Sequence, residues 1–269
     1  MPQIIGFDAA GKLRRPVDSD MPEISFLTGV PGTSQVVVVA TRGGKPEPWL
    51  VGLATDALPQ PLPMGSLSIR DVAISHDGAK LAVSVTGDGL YAGRLRDGSP
   101  LRRLTSEGTD ATPAFRADDA QIVFTRHVAG APPVVMTVPF LGGEPVSLLG
   151  TSSDAAGPSP RGDAIVYLHG ESMAEEVPEI WDGHASRPLS SHLPLGRYGA
   201  PRFSPDGRRV ALVRGDTEIV EVDVATGTLV RSLSTLTGDQ LADPTYTPSG
   251  LIALRVRFQG NLWMADVTY

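Results

Sequence analysis

A short stretch of text returns six times along this chain. The clearest copy is Pro201-Arg-Phe-Ser-Pro-Asp-Gly207, leading into Arg208-Arg-Val-Ala-Leu-Val213. Close copies are Val72-Ala-Ile-Ser-His-Asp-Gly78 and Pro244-Thr-Tyr-Thr-Pro-Ser-Gly250, and more degenerate ones are Pro113-Ala-Phe-Arg-Ala-Asp-Asp119 and Gly157-Pro-Ser-Pro-Arg-Gly162. The weakest is Ile24-Ser-Phe-Leu-Thr-Gly-Val-Pro-Gly32. The turn residues fall at 32, 78, 119, 162, 207 and 250, spaced by 46, 41, 43, 45 and 43 residues. A period near 43 with four strand-sized pieces per unit is the signature of propeller blades.

Residues 201–240 show the physics of one unit. Pro201–Ser204 is a short first strand that sets Phe203 on a core face. Pro205-Asp206-Gly207 turns the chain: Pro fixes φ, Asp bonds its own backbone, and Gly accepts a positive φ. Val210 and Leu212 alternate with neighbours in a second strand, and Glu218-Ile-Val-Glu-Val-Asp-Val224 alternates polar and apolar residues as a third. Thr228–Leu233 makes a polar outer strand. Such a sheet cannot bury both faces alone, so neighbouring copies must stack on it. The expected fold is therefore all-β: one six-bladed β-propeller of four-stranded antiparallel blades, at about 21–66, 67–110, 111–155, 156–199, 200–242 and 243–269 with 1–18.

The chain stops at Tyr269, after third-strand text at Asn261–Val267, so the N-terminal segment is expected to close the ring and hide its open edges. That segment reads as two strands, Ile4–Asp8 and Lys12–Val17. Lys12–Val17 is favoured as the outer strand because it matches Pro100–Leu104, with Ile4–Asp8 in that role as the alternative.

Composition agrees. Gly and Pro number 30 and 24 of 269 residues, about a fifth of the chain, which argues against a helical bundle. No apolar run is long enough to span a membrane as a helix. The net charge of −7 argues against a nucleic-acid partner. With no Cys, disulfides, zinc–thiolate centres and thiol nucleophiles are excluded. No G-x-S-x-G, H-E-x-x-H or G-x-x-x-x-G-K-[ST] motif occurs, and the five His sit at turns or strand ends. The opening MPQIIGFDAAGK lacks the pattern of a secretory signal.

The strongest copies, Pro201–Gly207 with Arg208–Leu212 and Ile219–Gly227, resemble the TolB-like, WD40-like family of bacterial β-propellers, marked by P-x-F/W-S-P-D-G, a K/R-x-I/V-A strand and an I-Y-x-x-D-x-x-x-G segment. His76-Asp77-Gly78 and Pro248-Ser249-Gly250 match in part, while Val30–Gly32, Ala117–Asp119 and Pro160–Gly162 depart most. The resemblance runs over essentially the whole chain and implies the propeller fold, a protein or peptide partner and a periplasmic setting. It does not name the ligand.

In a propeller, the connections from each outer strand to the next inner strand meet at one mouth of the channel. Here they carry Glu23, Asp71, Asp110, Asp154 and Asp243, and the fifth blade breaks the series with Arg197, Tyr198 and Arg202. These eight residues form the candidate binding site. Acids gathered there would draw a cation, a basic segment or an amide-rich one, although Asp and Glu are also ordinary loop residues. No cofactor is expected, with a channel-bound cation such as calcium as the exception. The turn motif is expected to be structural and to lie away from the ligand face. The expected function is non-catalytic binding of a protein or peptide by a monomeric scaffold. The alternatives are a metal-dependent hydrolase of small esters or lactones, for which the acids match poorly, and a sensor domain detached from a larger signalling protein.

Overall fold

The computed structural model describes residues 2–8, 11–13, 21, 23–53, 58–106, 109–172, 174–235 and 239–257. Six antiparallel sheets form the blades of a β-propeller, and no helix occurs among the described residues. Blade 1 consists of Ile24–Gly29, Gln35–Arg42, Lys45–Gly52 and Gln60–Pro61. Blade 2 consists of Ile69–Ile74, Lys80–Val85, Gly89–Arg94 and Arg102–Arg103. Blade 3 follows with Thr109–Phe115, Gln121–His127, Val134–Pro139 and Val146–Thr151. Blade 4 uses Ser153–Pro158, Ile165–His169, Val177–Trp181 and Ser186–Pro188. Blade 5 uses Arg202–Phe203, Arg209–Arg214, Glu218–Asp223 and Leu229–Ser234. Blade 6 pairs Asp239–Thr247 with Gly250–Arg257, and Pro2–Phe7 lies on the far side of the latter.

That last pairing closes the ring, in a way that corrects the expected arrangement. Gly250–Arg257 has a neighbour on each side, and Pro2–Phe7 takes the third-strand place in blade 6; Asn261–Val267, expected there, lie outside the described residues. Leu13 bridges to Phe7 from the outer side, where the fourth strand belongs. Of the expected outer strand Lys12–Val17, residues 14–17 lie outside the described set. The side chains of Pro2–Phe7 alternate as a strand requires: Ile4 packs at the junction of blades 6 and 1, and Ile5 and Phe7 at that of blades 5 and 6.

Burial follows the same logic all the way round. Six clusters of buried side chains occur among the described residues, and each straddles one junction between neighbouring blades. Second strands supply the largest share, as in Val36–Ala40, whose side chains are all buried. A strand buried on both faces needs no polar alternation, which is why this run reads as continuous Val. Phe203 packs against the cluster between blades 4 and 5 but keeps one side on the channel. Trp49 lies buried in the third strand of blade 1 and Trp181 half-buried in that of blade 4, while Trp263 lies outside the described residues.

The repeated turn is held by its own side chains. Ser204 Oγ donates to Asp206 Oδ1 at 2.6 Å and accepts from the Arg209 N–H at 2.9 Å, and Asp206 Oδ1 accepts from the Arg208 N–H at 3.1 Å. Ser75 and Asp77 repeat this set with Lys80 and Ala79. The serine hydroxyl, followed by the backbone bond, holds each carboxyl below its ordinary range.

Candidate functional site

The first strands of the blades line a central channel, and most of them carry a bulge. Pairing with the second strand shifts by a residue in blades 1, 2, 3, 4 and 6. A bulge adds one residue and re-aims the side chains on either side of it. This decides the fate of the candidate acids. Asp71 stands just past its bulge and Asp243 lies within one, whereas Asp110 and Asp154 stand before theirs.

Asp71 and Asp243 occupy equivalent places, two residues before Ala73 and Thr245, whose partners across the sheet are Ala82 and Ile252. They belong to blades 2 and 6, yet each feels the other's charge, and both feel Arg202 of blade 5. All three stand on first strands, within reach of one another's charge. Asp71 accepts from Arg70 Nε at 3.1 Å, Ser84 Oγ at 2.7 Å and the Thr112 N–H of blade 3 at 3.1 Å. Asp243 accepts from the Leu27 N–H of blade 1 at 3.2 Å. Burial pushes its carboxyl up to about 7; Arg202 and the Leu27 amide pull it down and Asp71 adds to the rise. Burial also lowers the affinity of Arg202 for its proton, against the pull of Asp243 and Asp71.

The remaining candidates lie elsewhere. The Asp110 side chain is fully buried in the blade wall and takes a bidentate pair from Arg126, at 2.8 and 3.0 Å. Asp154 lies 3.8 Å from His127 and accepts from its neighbour's N–H. Arg197 pairs with Asp216 at 3.2 Å, and Tyr198 is buried with its hydroxyl on the Pro194 carbonyl. Glu23 is exposed at a positive φ of 53°, its carbonyl accepting from the Thr41 N–H.

Glu176 is the acid that spacing along the chain does not single out. It is buried before the third strand of blade 4 and accepts from the Tyr198 N–H of blade 5 at 3.3 Å. Burial pushes it up to about 7, with Asp154 adding to the rise and Arg197 opposing it. Its role repeats a pattern. Asp71, Asp243, Thr125, Thr245 and Glu176 each offer a side-chain oxygen to a backbone N–H of the next blade. These acids stitch the ring as well as charging it.

A cavity opens at the other end of the first strands, at the repeated turns. Its volume is about 600 Å³, and it is lined by residues of all six blades. Its wall carries seven prolines, among them Pro31, Pro160, Pro205 and Pro248 in the turns, together with Phe115, Phe203, Ile74 and Tyr246. Arg202 stands at its inner end, and His76 stands at its rim with Nδ1 2.8 Å from Asp119. The turn motif, expected away from the ligand face, thus lines this cavity. Among the described residues no three His, Asp or Glu side chains come together as a metal centre needs.

No protein-family model and no curated protein matches the chain. Solved structures do. A putative TolB from Agrobacterium tumefaciens superposes with a TM-score of 0.77 at 16% identity, covering 94% of this chain and 97% of that one. TolB from Acinetobacter baumannii gives 0.70 at 19% identity over 91% of this chain and 65% of its own. A chain of a nidogen/laminin complex gives 0.68 at 14% identity, over 94% and 98%. At these identities the likeness concerns the fold, a TolB-like six-bladed propeller.

Proposed function

We propose that this propeller is a non-catalytic scaffold that binds a segment of a protein partner in its central channel. The observation that carries this reading is the proline-lined cavity at the turn end, built by all six blades. A concave, largely apolar site with a few polar groups is what ligand recognition requires. The nidogen neighbour comes from a structure with laminin, which agrees with a propeller serving as a docking body. The acidic connections support a smaller part of the reading than their number implies. Asp110 is neutralised by Arg126 and Asp71 pairs with Arg70, Asp154 lies beside His127, and the charge of Arg197 acts on Glu176. A periplasmic setting accords with the resemblance to TolB, and no described helix is long and apolar enough to cross a membrane.

The test is selection of random dodecapeptides displayed on phage against the immobilised chain, followed by hydrogen–deuterium exchange with the best binder. Protection of Thr28–Gly32, Ala114–Phe115 and Thr245–Thr247 supports the channel reading. Binders that protect only the outer strands overturn it.

A further inference from the structure

Strand register aligns one residue from each blade at the inner end of the cavity: Thr28, Ala73, Ala114, Gly157, Arg202 and Thr245, opposite Val37, Ala82, Val123, Val166, Ala211 and Ile252 in the second strands. All six line the cavity. Five are short and uncharged, so Arg202 is the one long side chain at that level. Its Nη1 donates to the carbonyl of Pro201 at 3.2 Å. Among the described residues its other N–H groups have no hydrogen-bond partner, and Asp71 and Asp243 act on it by charge without forming an ion pair. The side chain is half-buried and lines the cavity, so its spare donors are open to a ligand there. Its planar fork matches a carboxylate bidentately.

We infer that the cavity takes the carboxyl-terminal end of an apolar peptide, the terminal carboxylate pairing with Arg202 and the last side chains packing on the proline wall. This rests on the channel reading above and adds which end of the partner enters. A terminal carboxylate lies at the tip of its chain and reaches the inner end of the cavity with one chain arm, whereas an internal Asp or Glu would bring two arms into the same space. Phe115, Phe203 and Ile74 favour apolar side chains behind that tip. The volume of about 600 Å³ lies within the range of sites for ligands the size of a short peptide end. Asp71, already held by Arg70, Ser84 and Thr112, and Asp243, neutral over much of the acid range, leave the Arg202 charge free to be matched from the cavity side.

The probe is a pool of N-acetylated tetrapeptides of Ala, Val, Leu, Phe and Pro, made once as free acids and once as C-terminal amides. Retention by the full chain is read by equilibrium dialysis and mass spectrometry at pH 6.5. Free acids are expected to be retained about tenfold or more over their amides, the scale of a charge-assisted pair. Arg202→Gln, checked for an unchanged melting temperature, should abolish the preference, and Arg202→Lys should keep part of it. Equal retention of acids and amides would overturn the carboxylate reading while leaving peptide binding intact. No retention of either pool, or a preference that survives Arg202→Gln, would also overturn it. Hexanoate displacing the pool as well as the peptides displace one another would assign the cavity to a small carboxylic acid instead.

Discussion

Asp119→Gly separates what the repeat predicts from what the ring requires. Gly78, Gly162 and Gly207 fill the equivalent turn position at φ of 69°, 76° and 67°, and Asp119 stands there at 51°. By the repeat alone, Gly should relieve left-handed strain worth about 1 kcal/mol. In the ring, however, the Asp119 carboxylate reaches blade 2 and accepts from the His76 N–H at 2.9 Å, His76 Nδ1 at 2.8 Å and the Asp77 N–H at 3.1 Å. The residue is only 7% exposed. Bonds to a charged acceptor are worth about 1.5–3 kcal/mol each. His76 is partly solvated, so a total of about 3–5 kcal/mol is reasonable. The net loss is about 2–4 kcal/mol, or a fall in melting temperature of about 4–8 °C at this chain length. Urea unfolding and thermal melts of both proteins measure it. A variant as stable as the parent, or more stable, would refute the clamp.

Phe7→Ala should cost about 3–5 kcal/mol in denaturant unfolding, because Phe7 is 1% exposed in the strand that closes blade 6; a loss under about 1 kcal/mol would contradict that closure. Arg126→Met should be similarly costly, since it strands the fully buried Asp110 carboxylate, and Asp110→Asn in the same background should recover much of the loss. For Asp243, with a carboxyl at about 7 in the fold against 3.8 as a free side chain, the folded state holds the extra proton between those values. Stability therefore declines as pH rises through that window. Three units correspond to as much as about 4 kcal/mol, and to about 1–2 kcal/mol once channel water is allowed for. Asp243→Asn keeps an acceptor for the Leu27 N–H and cannot ionise, so it should match the parent near pH 4 and exceed it at pH 8. Glu176 leaves the variant with some residual slope. A variant that melts lower than the parent at pH 8 would reverse the assignment.

The repeat was legible because it rests on local chemistry. Ser204-Pro-Asp-Gly207 bonds to itself within six residues, and the alternation of Glu218–Asp223 needs no distant partner. Blade count and strand order within a blade follow from such units. What the ring decides is set by contacts far apart in sequence. Pro2–Phe7 takes the third-strand place because it meets Gly250–Arg257, a pairing that no local pattern encodes. Asp110 and Asp71 look alike at the end of a connection, but one lies before its bulge and enters the wall, while the other lies past it, where its charge reaches Arg202. Counting residues cannot locate a bulge, and each bulge reverses the facing of what precedes it. Glu176 and Asp119 acquire their roles only when the next or preceding blade supplies N–H groups to accept. The cavity arises for the same reason: five blades contribute a short, uncharged residue at one level, and only ring closure brings Arg202 of the remaining blade to face them.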